Sequence, residues 1–488
     1  MPFLTLPIAL ATTAVNMAIG SATIVHAATT NITGYCRGNV SDNVFTLTAN
    51  CDTTSTLTVP NGYTLNGAGY TITAHDPDST DLPAGAFHGP VLTNAGTTMN
   101  LTNLTVRGTG FAFNCDPVNP TVGILLSNAS GTMTNVDVPD ITQHTDCLTV
   151  HSIQIRSDTD PQTVELDHVT VTDFQRTGLL IQGKETVDVT NSAFGPPDPR
   201  VPNPGKLAQN TVQFGSPALA GPTTGTFTNN AVAGGAFGVA SNVSAALLIY
   251  GVTGLDVTHN TFSGKGTDVG INMSNSSDVT LAYNAINREP TPPGFADTYG
   301  IGANSDDTTR ETAKLICNSF AGWNLNLGNL TQKPCILSAT TVPCATIDEP
   351  SNIKLEALTQ NPEADLTWRL ISGELPPGLT LAPDGTISGT PTQITQTNAT
   401  LAVTDPVDGT TTADFTFCVE RPAPPTPPTP KPAHPKPAHH RELAATGTSD
   451  APYAMLALAL ITAGATLVTR KRSAQRRMTP HTNPARNP

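Results

Sequence analysis

Asp268 and Asp297 stand two and three residues ahead of successive apolar runs, Gly270-Ile271-Asn272-Met273 and Gly300-Ile301-Gly302-Ala303. Arg176 stands two ahead of a similar run, Gly178-Leu179-Leu180-Ile181, and Asp306, Asp307 and Arg310 follow Asn304. If the runs stack as strands about 4.8 Å apart, this set of carboxylates with an arginine could bind a cation or hydrolyse a glycoside. Hydrolysis by paired acids needs two carboxyls roughly 5 to 9.5 Å apart, and elimination needs a base with a cation to steady the developing enolate. Loop acids of this kind more often form a solvated rim, and the sequence favours that reading. His151 is more simply a surface hydrogen bonder than a base. Asp146 reads as a turn residue, and Asp167-His168 reads as scaffold.

What must position these residues is a repeat. An apolar pattern recurs at Leu101-Leu104-Val106, Met133-Val136-Val138, Leu166-Val169-Val171, Val189-Ser192-Phe194, Phe227-Asn230-Val232, Val257-Asn260-Phe262, Leu281-Asn284-Ile286 and Leu315-Asn318-Phe320, at spacings of 23 to 38 residues. Such spacing predicts one coil per unit with loops of varying length. Asn230, Asn260, Asn284 and Asn318 hold the middle position. Stacked asparagines can bond in a ladder that satisfies backbone groups at an interior turn, so they are assigned structure and no catalysis. A second apolar run precedes most units, including Gly123-Ile124-Leu125-Leu126.

Two short strands and an asparagine turn per coil, with Thr58-Val-Pro-Asn-Gly-Tyr-Thr-Leu-Asn-Gly-Ala-Gly-Tyr-Thr-Ile72 as first coils, resemble the right-handed parallel β-helix of the pectin-lyase-like superfamily over residues 28–340. That resemblance implies chemistry on the outward face of the first strand and its flanking loops. Lyases of the group use calcium-binding acids and an Arg or Lys base there, and hydrolases use clustered aspartates. One scaffold hosts many chemistries. Strand alternation makes the expected outward row Leu125/Ser127, Thr149/His151, Leu180/Gln182, Thr211/Gln213, Leu248/Tyr250, Asn272/Ser274 and Gly302/Asn304. The row holds amides, hydroxyls, one histidine and one tyrosine, with no carboxylate, Arg or Lys. His151, Gln182, Gln213, Tyr250, Asn272 and Asn304 are therefore candidate glycan contacts. Asp268, Asp297, Asp306, Asp307 and Arg176 are the catalytic candidates.

Residues 344–420 contain Trp368, Ser372-Gly-Glu-Leu-Pro-Pro-Gly-Leu-Thr-Leu381, Asp384-Gly-Thr-Ile-Ser-Gly-Thr-Pro391 and Val403-Thr404-Asp405. This series resembles the Ig-like modules of bacterial surface proteins, related to cadherin-like sandwiches. The kinship raises calcium, but the clustered acidic ligands such a site needs are mostly missing. No CxxC or Cys/His spacing marks a metal site, and no other cofactor is implied.

Both ends of the chain read as export signals. Residues 4–25 are apolar, with a small-x-small cleavage site at Val25-His26-Ala27 that makes 1–27 a signal peptide, although no Lys or Arg lies ahead of it. Proline-rich residues 421–442 predict an extended spacer of roughly 70 Å. Then come Leu443-Ala444-Ala445-Thr446-Gly447, an apolar stretch at 452–469 and a basic tail at 470–488 with Arg470-Lys471-Arg472. The stretch just crosses a bilayer core of about 30 Å as one transmembrane helix, with the basic tail cytoplasmic. The pentapeptide resembles the LAxTG sorting signal of Gram-positive sortase substrates. That resemblance implies cleavage between Thr446 and Gly447 and covalent attachment of Thr446 to peptidoglycan; a plain membrane anchor is the alternative.

An exported chain permits disulfides. Proximity pairs Cys36 with Cys51, Cys115 with Cys147, Cys317 with Cys335, and Cys344 with Cys418, though eight cysteines allow 105 connectivities. A net charge of −14 argues against nucleic acid as a partner. The expectation is an all-β protein: a right-handed parallel β-helix, a small Ig-like β-sandwich, a linker and one C-terminal transmembrane helix. It is anchored in the cell wall and contacts an extracellular polysaccharide or a host or neighbouring surface; the alternative is a polysaccharide lyase or glycoside hydrolase retained at the wall.

Overall fold

The computed structural model describes residues 29–77, 87–109, 111, 120–143, 149–197, 209–219, 221–235, 244–265, 267–289, 298–303, 312–328, 330–360 and 364–422. The signal peptide, the linker beyond residue 422, the sorting pentapeptide, the 452–469 stretch and the basic tail lie outside these residues. Among the described residues no helix is long and apolar enough to cross a membrane.

Residues 29–328 wind into a parallel β-helix whose coils pair in register on three faces. On the first face Ile124 pairs with Ile153, Leu179 and Val212 in turn, and then come Leu247, Ile271, Ile301 and Leu327. Val212 to Leu247 is a turn of 35 residues and Leu247 to Ile271 one of 24. The register is the same across coils of different length, and a one-residue slip would turn each core side chain outward. On the second face Leu101, Met133, Leu166, Val189, Phe227, Val257, Leu281 and Leu315 form one inward column. On the third, Val171, Phe194, Val232, Phe262, Ile286 and Phe320 form another. Phe227 sits at the centre of this interior, with Phe194, Phe214 and Phe262 around it at ring-centroid distances of 6.0, 5.9 and 6.5 Å.

Each coil turns between the second and third faces at a left-handed residue. Asn103, Asn135, His168, Asn191, Asn229, His259, Tyr283 and Cys317 all have φ between 49° and 60°. The residue after each one points inward, and from the fourth of these coils onward it is polar. There the expected ladder forms. Val169 N donates to Ser192 Oγ, Ser192 N to Asn230 Oδ1, Asn230 N to Asn260 Oδ1, Asn260 N to Asn284 Oδ1 and Asn284 N to Asn318 Oδ1, all at 2.8 to 3.1 Å. The side-chain amides reach back to the carbonyls of Val189, Phe227, Val257 and Leu281. Gln332 Oε1 accepts from Asn318 N and Nδ2, ending the ladder, and the Cys317–Cys335 disulfide lies beside that end. At the other end, helix Ile32–Tyr35 buries Ile32 and is capped by Asn31, whose Oδ1 accepts from Thr33 N. The Cys36–Cys51 disulfide holds this cap.

The Ig-like module follows. Strands Ala345–Thr346, Gly409–Glu420, Gln396–Asp405 and Thr367–Gly373 make one sheet, and Ser351–Lys354, Thr386–Gly389 and Leu379–Leu381 the other. Cys335–Ile336 pairs with Ala357–Leu358. Its core gathers Trp368, Leu379, Ile387, Leu401, Val403, Phe415 and Phe417, with Cys344–Cys418 bonded. Gly385 has φ +86° and lies where a Cβ would meet the Trp368 indole at 2.8 Å, so the Asp-Gly of the motif is fixed by backbone and packing together. Asp405 is buried; its Oδ1 accepts from Val407 N and Asp408 N and its Oδ2 from Thr359 Oγ1. Three of the four expected disulfides form, while Cys115 and Cys147 lie outside the described residues.

The ladder makes a quantitative demand. Asn260→Ala strands Asn230 N and the Phe227 carbonyl inside the stack, and should lower unfolding free energy by about 2–4 kcal/mol. Asn229→Ala, one residue upstream but exposed, should cost about 1 kcal/mol, the left-handed penalty alone. Urea unfolding with disulfides intact measures both.

Candidate functional site

The first face sends three columns of side chains outward. At its N-terminal edge run Val122, His151, Thr177, Asn210, Ala245, Val269 and Tyr299. The middle column is Leu125, Gln154, Leu180, Gln213, Leu248, Asn272 and Gly302. The third holds Ser127, Arg156 and Gln182, then Tyr250 beside Ser274. The edge column faces out because the residue after it turns in: a Cβ on Gly178 would meet the Phe174 ring, and one on Gly270 would meet Ile286. Ala245, Val269 and Tyr299 accordingly pack with Leu248 in a cluster separate from the main core.

This register corrects the expected row at two coils, and at one of them Gln213 rather than Thr211 stands beside Leu180 and Leu248. At the other, the shift is larger. The residues beside Leu125 and Ser127 are Gln154 and Arg156 rather than Thr149 and His151. The row therefore contains an arginine, contrary to the sequence reading. Ile153 and Ile155, alternating through His151-Ser-Ile-Gln-Ile-Arg156, carried the signal that fixes this strand. Gln182 remains in place, with its Oε1 accepting from Gln154 Nε2 at 2.9 Å. Gln213 Nε2 donates to the Gly215 carbonyl, and Asn210 Nδ2 lies 3.4 Å from its Oε1. Asn272 and Tyr250 are half-buried on the same face. Asn304 lies outside the described residues.

His151 is buried at the column edge, next to Thr177 in register. Burial first, and the charge of Arg176 second, push its imidazole down to about 3, so it is neutral in any ordinary medium. Burial also lowers the Arg176 guanidinium. His151 Nδ1, Thr177 Oγ1 and Thr121 Oγ1 are buried with no hydrogen-bond partner among the described residues. Buried polar atoms are rarely left so, and all three lie beneath the accessible surface of the face.

Asp268 is not on a solvated rim. It is 1% exposed, and its Oδ2 accepts from Ser244 N at 3.0 Å and Ser244 Oγ at 3.2 Å. Burial pushes its carboxyl up to about 6, against the opposing hydrogen bonds from Ser244 and the charge of Arg288. Arg176 and Asp268 hold the same place just before the edge column, three coils apart. At about 4.8 Å per coil that is roughly 14 Å, too far for both to act on one bond. Asp268 is thus a tie between coils. Asp297, Asp306 and Asp307 lie outside the described residues, and among the described residues no three His, Cys, Asp or Glu side chains converge as a metal site.

Residues 333–420 match the family model described as "Putative Ig domain". No curated protein matches the chain. Among solved structures, a "putative alpha-galactosidase" from Bacteroides fragilis is 26% identical, with a TM-score of 0.16, over 18% of this chain. The chain covers 18% of that protein's length. The alginate lyase of Paenibacillus sp. str. FPU-7 is 15% identical, covering 57% of this chain and 92% of its own, with a TM-score of 0.35. The Dettilon tailspike protein is 12% identical over 74% of this chain and 72% of its own, with a TM-score of 0.34. The β-helix assignment rests on the strand register itself.

One ionisable group escaped the sequence reading. Glu185 shares the inward parity of Val187 and Val189, is 1% exposed, and has neither carboxylate oxygen bonded among the described residues. A lone Glu in an alternating strand carries no sequence mark of burial. Burial raises its carboxyl from 4.5 to about 8. The folded chain therefore keeps a proton that the unfolded chain releases above about 4.5. Its contribution to stability is full below that pH and declines as pH rises to about 8. Glu185→Gln should remove this decline, so that its melting temperature exceeds that of the native chain at pH 8 and approaches it at pH 4.5; thermal scans across that range check it.

Proposed function

We propose that this protein is displayed outside a Gram-positive cell and binds a glycan along the outward face of the first sheet. The observation that carries the reading is the Gln154–Gln182 amide pair, which lies beside Arg156 on that face. Amides in fixed rotamers suit the hydroxyls of a polysaccharide, and the half-buried Leu125 and Leu248 in the middle column suit the apolar faces of its rings. Gln213, Asn272 and Tyr250 extend the face, with Asn304 as a further candidate contact. The ligand belongs to an extracellular polysaccharide or to a host or neighbouring cell surface.

Attachment follows from the tail. Sortase would cut between Thr446 and Gly447 and join Thr446 to peptidoglycan, with the proline-rich spacer carrying the Ig-like module and the β-helix outward. Thr446→Ala should leave the protein extractable from membranes by detergent; covalent retention in the wall fraction would overturn this assignment.

A second reading, a polysaccharide lyase or glycoside hydrolase kept at the wall, is favoured by the half-buried Arg176 next to a neutral His151. Asp297, Asp306 and Asp307 are the acids it would recruit. The exported protein, incubated with uronic-acid and neutral polysaccharides with and without calcium, separates the two through retention and through new reducing or unsaturated ends. Binding alone predicts retention without products. It also predicts that Gln154→Ala/Gln182→Ala weakens retention at least about tenfold, the scale of 1.4 kcal/mol, with an unchanged melting temperature. Products lost on Arg176→Ala would establish the enzyme instead.

A further inference from the structure

The column of left-handed residues between the second and third faces contains two that are neither asparagine nor histidine: Cys317, which is held in the disulfide to Cys335, and Tyr283. Asparagine, aspartate and histidine tolerate positive φ better than other side chains, whereas a bulky residue there is a genuine outlier. Asn103, Asn135, Asn191 and Asn229 follow that preference, as do His168 and His259. Tyr283, at φ +55°, does not. It is also 53% exposed, so burial of its ring does not offset the backbone cost. Its ring stacks on that of His259, one coil back, with centroids 5.2 Å apart and planes 19° from parallel. Since His259 covers one face of the phenol ring, the exposure that remains lies on its other face and its edge.

The surroundings narrow what could meet this pair. The four flanking residues are Thr258 and Ala282 before the rings and Asn260 and Asn284 after them, with the asparagines turned inward into the ladder. Thr261 and Ala285 then open the third-face strands. None of these is charged, in a chain of net charge −14. Thr258 Oγ1 exchanges a hydrogen bond with Thr228 Oγ1 at 3.0 Å, which keeps hydroxyls beside the rings. Two rings and a few small side chains fall well short of the roughly 800 Å2 per partner that a stable protein interface buries. The residues flanking the rings carry no charge, and the nearest charged side chains along the second face, Asp256 and Lys314, are of opposite sign. Aromatic rings present a negative π face, and hydroxyls alongside can take up the rim of a polar ring.

We propose that the His259–Tyr283 stack is a second binding site, for the apolar face of a neutral pyranose ring. It lies on the corner between the second and third faces, separate from the amide face of the first sheet. This site does not depend on that face being the main glycan site.

The exported protein is titrated with cellohexaose and maltohexaose by calorimetry, and saturation-transfer NMR is used to detect contact with the aromatic rings. A uronic-acid hexamer serves as the charged counterpart. The titration is done with the Gln154→Ala/Gln182→Ala background, which disables the first-sheet face and isolates the stack. One of the neutral hexamers should bind and the uronic-acid hexamer should not. Tyr283→Asn should reduce that binding at least tenfold, while its melting temperature is maintained or raised because Asn accepts the left-handed backbone. A purely structural tyrosine would show the opposite: a lowered melting temperature and unaltered binding. Absence of binding by both neutral hexamers, or equal binding by Tyr283→Asn, overturns the proposal.

Discussion

The structure depends on one constraint: each coil must offer the next an unbroken set of backbone partners, including at the corner where the chain turns. Strand pairing meets this demand along the flat faces, but a turn pointing into the core would leave amides and carbonyls without water or ladder. The asparagines answer both needs at once. Each accepts from the amide of the preceding coil's residue and donates to a carbonyl of that coil. Because each rung binds only its neighbour, coils of very different length can be stacked as long as this one position stays in step.

That tolerance explains where chemistry can reside. Coils of different length keep one register, so the strand faces repeat at a constant interval. The first face is thus a fixed array, with side chains held at intervals set by coil spacing along one direction and by alternation along the other. Asp268 shows the converse. A carboxylate just off the strand end is drawn inward by the amide and hydroxyl of Ser244, and it serves cohesion between coils rather than contact with a substrate.

The fold was largely legible in the sequence, because the repeat carries the same period as the physical coil. All eight apolar triplets align in register, and the Asn230–Asn318 ladder forms as its spacing requires. The Ig-like module was legible through Trp368 and the Asp384-Gly385 turn, which are tied to one another by packing. The site was less so. His151 was assigned to the wrong position because the coil from Val150 to Thr172 has no glycine marking its first strand, and the expected pair Thr149/His151 stands five residues before the true pair Gln154/Arg156. Arg156 was missed with it. Burial of Asp268 and Glu185 depends on neighbours from distant coils, and no local pattern encodes that.

The two ends of the stack bear a further consequence. A parallel β-helix presents unpaired strand edges at both ends, and identical ends from different molecules are able to pair. Here one end is covered by the Ile32–Tyr35 helix and its disulfide. At the other, Gln332 takes the place of the next asparagine and Cys335 begins a module of different geometry. The glutamine thus imitates a further coil while denying it, so that the asparagine column stops at a fixed length.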